Sequence, residues 1–160
     1  MIDKTSSEKI LERFGNLPPT EYLSGDDRKF FSNITSALLT THLEHLIKEK
    51  MWVIGVIMSA SMLEFTGKIR LIWKYKGSIS KRKINNLNFA TIIVCLLTSK
   101  IIDKSKYKKM EKIRDARNKL AHNVVSQVFS TLSKKPNPTL ENLITEATEI
   151  IKGLFHISYI

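Results

Sequence analysis

The sequence predicts an all-α protein, an up-and-down bundle of about four to five main helices preceded by a short N-terminal helix. Two observations carry this prediction. Apolar residues recur at steps of three and four along most of the chain, which is the spacing of a helix face buried against a core. Runs that alternate between apolar and polar residues, which are typical of strands, are missing from the sequence.

Composition indicates a single globular domain. The chain has 160 residues, of which 42% are hydrophobic and 26% charged, which is ordinary for a protein with a buried core. Its single cysteine excludes an internal disulfide and suits a reducing compartment. The polar first residues lack the apolar centre of a signal peptide, and no apolar run approaches the 20 or so residues of a membrane span. We therefore expect a cytoplasmic protein with no membrane segment.

Two segments are expected along the chain: an appendage helix with its linker at 1–23, and a helical domain at 24–160. Pro18 and Pro19 separate them, because proline removes a backbone donor and ends a helix. Ser24 then provides an N-cap followed by two acids, which the helix dipole favours in a first turn. The first long helix is predicted to run from there to about Glu49.

The second long helix is predicted from about Trp52 to Tyr75. Its first half is apolar on nearly all sides, so we expect it at the centre of the bundle. Glu64 lies in this region, and a buried carboxylate without a partner costs several kcal/mol. We expect Glu64 to pair with Arg117 or to hydrogen-bond His122. The alternative is that Glu64 lies at the rim of the bundle in water.

A basic segment follows from Lys68 to Lys83, with seven Lys or Arg residues and no acid. Trp73 and Tyr75 are interleaved with these cations, a pattern that suits tracking of a nucleic-acid backbone with base stacking. A solvated turn anchored by two aromatic side chains explains the same pattern equally well.

Two more helices are predicted, one before and one after residues 111–123. An apolar helix is predicted at 87–101, after which Asp103 or Ser105 is placed to cap the next helix. Residues 134–138 form a proline-containing linker, and Thr139 is predicted to cap the last helix.

The stretch between them, residues 111–123, contains no glycine or proline and is dominated by good helix formers. Its apolar residues recur at helical spacing, at Met110, Ile113, Ala116, Leu120, Val124 and Val128. A second, polar stripe follows at steps of four, three and four, through Glu111, Asp115, Asn118 and His122. Arg117 lies on the flank of the apolar stripe, where a guanidinium needs a carboxylate partner or a route to water.

The string Arg117-Asn118-Lys-Leu-Ala-His122 resembles the R-N-x-x-x-H signature of the HEPN superfamily of all-helical domains. The resemblance covers residues 26–156, with the motif as its specific part. It implies a metal-independent endoribonuclease without a cofactor, acting as a symmetric homodimer whose motif faces meet in one cleft. Many members of the superfamily are toxins paired with a small nucleotidyltransferase antitoxin, which adds an antitoxin protein to the implied partners.

The motif suits RNA cleavage, in which the 2′-hydroxyl group is the nucleophile. An imidazole titrates near neutrality and serves as base or acid, and a guanidinium offers several donors to phosphate oxygens. His122 and Arg117 are therefore the candidate catalytic residues, with Asn118 to orient the ring or bind phosphate. Glu64 and Asp115 are candidate supporting residues. The candidate RNA-binding cations are Lys109, Lys112, Arg114 and Lys119.

One geometric condition limits this hypothesis. Positions five apart differ by about 140° around a regular helix. Arg117 and His122 can share a phosphate only if the helix ends or distorts near Asn123, or if each acts from a different subunit.

The chain carries a large positive net charge. The formal net charge is +11, from 26 Lys and Arg against 15 Asp and Glu, which favours a phosphate-rich partner such as RNA. A lysine-rich composition from an AT-rich genome explains the same excess of positive charge.

Two other function classes fit the sequence besides a ribonuclease. The second function class is a non-catalytic regulatory or interaction module, like the mannitol operon repressor. The third is a DNA-binding protein, although no helix-turn-helix spacing is present.

Overall fold

The computed structural model describes residues 25–122 and 136–155. These residues form six helices: α1 (Gly25–Lys48), α2 (Trp52–Lys74), α3 (Lys81–Asn85), α4 (Phe89–Thr98), α5 (Lys104–His122) and α6 (Pro138–Phe155). No strand occurs within these two ranges, so the prediction of an all-α bundle is confirmed. The five-residue helix α3 was not predicted, because it is too short to show an apolar period. The predicted appendage at 1–23 lies outside the described residues.

Helix α2 is the centre of the bundle. It packs against all five other described helices, and it is buried over most of its length. By length and composition α2 is apolar enough to cross a membrane, but 61% of its most apolar window is buried inside the bundle. This is the environment of a core helix, as its all-round apolar sequence predicted.

Helices α1 and α6 cover one side of α2, and α4 and α5 pack together against it as well. Residues 49–51 join α1 to α2 in a tight turn, in which Lys50 adopts a left-handed conformation with φ of 57°. The predicted break near Glu49 is therefore confirmed. In α6, Ile144, Ala147 and Ile151 are fully buried, which places the apolar face of this helix in the core.

Side-chain caps fix where two helices begin: α5, which carries the candidate motif, and α6, which follows it. Asp103 Oδ1 accepts a hydrogen bond from Lys106 N at 2.8 Å, so Asp103 is the cap of α5. The prediction that Thr139 caps the last helix was wrong. Asn137 has this role, since its Oδ1 accepts from Leu140 N at 3.2 Å. The reason is that Pro138 takes the first helical position, where its missing N–H costs nothing.

Glycines on α2 let its neighbours approach closely. A Cβ added to Gly67 would lie 2.6 Å from Ile92 Cγ2 and 3.1 Å from Leu96 Cδ1, both on α4. At Gly55 the added atom would meet the Ile144 side chain of α6. The contact at Gly67 is the less forgiving one, because Cγ2 of a β-branched residue is close to the backbone and moves little.

Replacement of Gly67 by valine is expected to lower the free energy of unfolding by about 1–3 kcal/mol, because the branched side chain overpacks the α2–α4 contact. The measurement is urea unfolding followed by circular dichroism. Ser61→Val is the matched control, since Ser61 is exposed on the same helix and the substitution should change stability by less than about 0.5 kcal/mol. Equal losses in the two variants would contradict the close packing described at Gly67.

Candidate functional site

The candidate motif lies on α5, and its position is set by the buried face of that helix. Met110 and Ile113 are fully buried, and Ala116 and Leu120 are partly buried against the core. The predicted apolar stripe is therefore confirmed over this part of the helix. Its continuation at Val124 and Val128 lies outside the described residues. Packing of this stripe on α2, α4 and α6 leaves the opposite face of α5 to solvent.

That opposite face is basic. Exposed cations recur there at helical spacing and end in the imidazole, and we call this set the α5 basic face: Lys104, Lys108, Lys112, Lys119 and His122. Asp115 lies within the row, but its carboxylate accepts hydrogen bonds from Arg114 at 2.9 and 3.3 Å. Among the described residues none of the four lysines has an acidic partner, so the face carries a net positive charge next to His122.

Arg117 points to a different place, the junction of α2, α4 and α5. Its Nη1 lies 3.6 Å from Glu64 Oε2 on α2, and its guanidinium carbon lies 5.7 Å from the centre of the Phe89 ring on α4. Its Nε and Nη2 donate to Oδ1 of the neighbouring Asn118 at 3.3 and 3.2 Å. The side chain is 29% exposed, so one edge of the guanidinium still reaches solvent.

Glu64 pairs with Arg117, as the sequence predicted, but it is not fully buried. Its side chain is 26% exposed, and its other oxygen accepts from Lys68 Nζ at 2.9 Å. The rim position and the ion pair, which were alternatives at the level of the sequence, are therefore combined in the structure. No hydrogen bond joins Glu64 to His122 within the described part of the chain, and His122 is exposed.

Of the other predicted site residues, Arg114 and Lys109 have acidic partners. Arg114 is held by Glu111 at 2.8 Å and by Asp115, and the hydrogen bond to Asp115 is the main cause that raises the pKa of this guanidinium. Lys109 lies 3.6 Å from Glu146 on α6. Lys112 and Lys119 remain on the open basic face.

Arg117 and His122 do not converge within one chain. The helix stays regular through His122, so the two side chains leave it about 140° apart. Asn118 is exposed, and its carbonyl oxygen faces Arg117 instead of the imidazole. Distortion of the helix before His122, one of the conditions set by the sequence, is not observed. Asn123, where the helix was predicted to end or distort, lies outside the described residues, and a second copy of the chain is the other way to bring both groups together.

The aromatic residues of the basic segment anchor the fold. Trp73 is only 7% exposed, and the Tyr75 hydroxyl lies 2.6 Å from Ser99 Oγ at the end of α4. The buried Trp73 ring offers no open face for a stacked base. The alternative of two anchoring aromatics is the one that the structure favours.

Sequence reasoning missed two features of this region. Phe89 under Arg117 had no signal, because the pairing of α4 with α5 brings it there. The alignment of the lysines with the imidazole was the second feature, and its signal is the spacing of Lys108, Lys112, Lys119 and His122 at steps of four, seven and three.

Within residues 25–122 and 136–155, no three His, Cys, Asp or Glu side chains come together as metal ligands would. Comparisons with protein-family models, with curated proteins and with solved structures find no match for this chain. Its functional interpretation therefore depends on the residues described above.

The Arg117–Glu64 ion pair is expected to contribute about 0.5–1 kcal/mol of coupling energy, since both side chains are about three-quarters covered. A double-mutant cycle with Glu64→Gln and Arg117→Gln, measured by urea unfolding, tests this value. Arg114→Gln replaces Arg117→Gln in the control cycle and should show no coupling to Glu64. A coupling of zero in the first cycle would mean that the two groups do not interact in solution.

Proposed function

We propose that the chain is an HEPN-like, RNA-binding helical domain that cleaves RNA without a metal, with His122 as the acid–base group. One observation carries the proposal: the imidazole is exposed at the end of a row of lysines that have no acidic partner among the described residues. Such a row attracts a phosphate backbone through counterion release. It would bring the ribose 2′-hydroxyl groups of a bound strand close to a group that transfers protons near neutral pH.

In the proposed reaction, one imidazole removes the proton from a 2′-hydroxyl group. The 2′-oxygen attacks the adjacent phosphorus, and the bond to the 5′-oxygen of the next nucleotide breaks. The products are a 2′,3′-cyclic phosphate and a 5′-hydroxyl end, and the leaving oxygen takes a proton from a general acid. One chain supplies a single His122, so the second proton-transfer group is His122 of a partner copy in a homodimer.

Arg117 supplies the positive charge for the pentavalent phosphate in this proposal. Its contact with Glu64 is long, at 3.6 Å, whereas a strong charge-assisted hydrogen bond measures about 2.7–2.9 Å. Part of its guanidinium is therefore available to a phosphate that a second chain presents. Asn118 bonds Arg117 and would hold it in this orientation.

A second candidate function is a non-catalytic RNA-binding or regulatory module. A specific observation favours it: Arg117 already has Glu64 and Phe89 as partners and leaves α5 away from His122. In that case the ion pair serves to fix α5 on the bundle, and the α5 basic face binds RNA without cleaving it.

Location and regulation follow from the same proposal. The proposed RNase would act on RNA in the cytoplasm, and a toxin of this kind needs an antitoxin. We expect such an antitoxin to cover the α5 basic face with acidic side chains, since those complement its charge.

The purified protein is expected to cleave single-stranded RNA in the presence of EDTA, and His122→Ala should reduce the rate at least about 100-fold through loss of the acid–base group. Gel analysis of a labelled oligonucleotide measures the rate, and the 2′,3′-cyclic phosphate end identifies the chemistry. His45→Ala is the matched control, because His45 is also exposed but lies on α1. Binding of RNA without cleavage at high protein concentration would favour the non-catalytic module.

RNA binding is expected to weaken when the α5 basic face loses charge. Lys112→Gln with Lys119→Gln should lower the slope of log affinity against log salt by about 1.4, since each lost phosphate contact on a single strand contributes about 0.7. Fluorescence anisotropy over a salt series measures the slope. The control pair is Lys48→Gln with Lys50→Gln, two exposed lysines at the end of α1. An equal effect of both pairs would indicate binding by net charge alone, without a specific face.

A further inference from the structure

Two arginines surround one buried tryptophan where α1 packs on α2. The guanidinium carbons of Arg28 and Arg70 lie 5.8 and 5.9 Å from the centre of the Trp73 ring. Phe31, from the same helix as Arg28, meets the ring edge-on at 6.2 Å. Cations near an indole face are attracted by its quadrupole, so Trp73 holds both guanidinium groups in place.

No described carboxylate neutralises the cations in this cluster. Within the described part of the chain, neither Arg28 nor Arg70 has a carboxylate partner, and the buried Nε atom of each lacks a hydrogen-bond acceptor. Ser32 follows Arg28 by one turn on the same face of α1. Its hydroxyl is also without a partner, and the residue is 1% exposed. Burial, and then the nearby charge of Arg28, lower the pKa of the Arg70 guanidinium.

Arg28 and Arg70 differ from the arginines of α5 in lacking a described carboxylate partner. Arg114 and Arg117 each have at least one carboxylate within 3.6 Å. By contrast, Arg28 and Arg70 repel each other, and their unsatisfied donors are costly to bury. Asp26, which is exposed in the first turn of α1, forms no ion pair with either of them among the described contacts. An anion bound to the accessible edges of the two guanidinium groups would offset their repulsion.

We propose that Arg28 and Arg70 form a binding site for a phosphate monoester, with Trp73 as its fixed wall. Such a group has three terminal oxygens and up to two negative charges, so it can accept from two guanidinium groups together. A carboxylate has two oxygens and one charge, and it satisfies fewer of the free donors. Arg28 also lies near the start of α1, where the helix dipole adds positive potential.

This site goes beyond the proposed ribonuclease function, because it uses no residue of α5. The phosphate monoester has two possible sources, a free mononucleotide or inorganic phosphate on one hand and the 5′-phosphate end of an RNA on the other. An internal phosphodiester is the poorer ligand, since it has a single charge and is flanked by two sugars.

Tryptophan fluorescence tests the proposal directly. In a Trp52→Phe background Trp73 is the only tryptophan, and we expect its emission to change saturably when inorganic phosphate is added. Arg28→Gln and Arg70→Gln should each weaken phosphate binding about tenfold, because each removes charge-assisted hydrogen bonds. Lys74→Gln is the matched control, since it removes one exposed charge next to Trp73 in sequence and should leave the affinity unchanged. Equal binding in all variants, or no response to phosphate, would overturn the proposal.

Thermal unfolding separates a ligand site from a packing role of the same arginines. We expect phosphate to raise the Tm of the wild-type chain but not that of the Arg28→Gln/Arg70→Gln variant, since a ligand stabilises only a state that binds it. Without phosphate, the double variant should be at least as stable as the wild type, because the repulsion is gone. A lower Tm in the variant together with no effect of phosphate on the wild type would assign the pair to packing.

Competing ligands identify the source of the phosphate. A 5′-phosphorylated oligoribonucleotide that binds about tenfold tighter than its 5′-hydroxyl form would point to RNA ends, whereas equal affinity of the two, with binding by AMP, would point to a free nucleotide. Both results support the site. Acetate that competes as well as phosphate at equal concentration would overturn the choice of a phosphate monoester.

Discussion

The fold depends on the burial of α2. This helix is apolar on nearly every side, so it is stable only when other helices surround it, and each of the other described helices packs against it. Its small residues decide how close they come, since Gly55 admits α6 and Gly67 admits α4. The position of α5 then follows, because its apolar face must cover α2. The basic segment begins in the last turns of α2 itself and continues beyond its end.

A central apolar helix also determines where charge can lie. Glu64 is the only acid on α2, and it binds Lys68 from its own helix and Arg117 from α5. The ion pair is about three-quarters covered by protein but still in contact with water, where such pairs contribute modestly to stability. Its larger effect is on orientation: Arg117 is directed toward α2 and Phe89, and the lysines of α5 are left facing solvent.

The sequence predicted those features that depend on periodicity. The long helices, the central place of α2, the Asp103 cap and the pairing of Glu64 with Arg117 were all accessible, because each follows from helical spacing or from the cost of an unpaired charge. The features it missed depend on which helices become neighbours. Phe89 under Arg117 and Arg28 beside Trp73 arise from contacts between different helices, and both pairs of residues are far apart in sequence. No local pattern contains that information.

The separation of Arg117 from His122 is the strongest constraint on function. A regular helix directs them about 140° apart, so a single chain presents an imidazole on its basic face and a guanidinium at its α2–α4 junction. Two copies related by a two-fold axis bring one of each together when their interface sets the basic face of one chain against the junction of the other. In the proposed function, catalysis is therefore a property of the dimer, whereas RNA binding by the lysines of α5 requires only the monomer. That proposal predicts that protein concentration controls the balance between binding and cleavage.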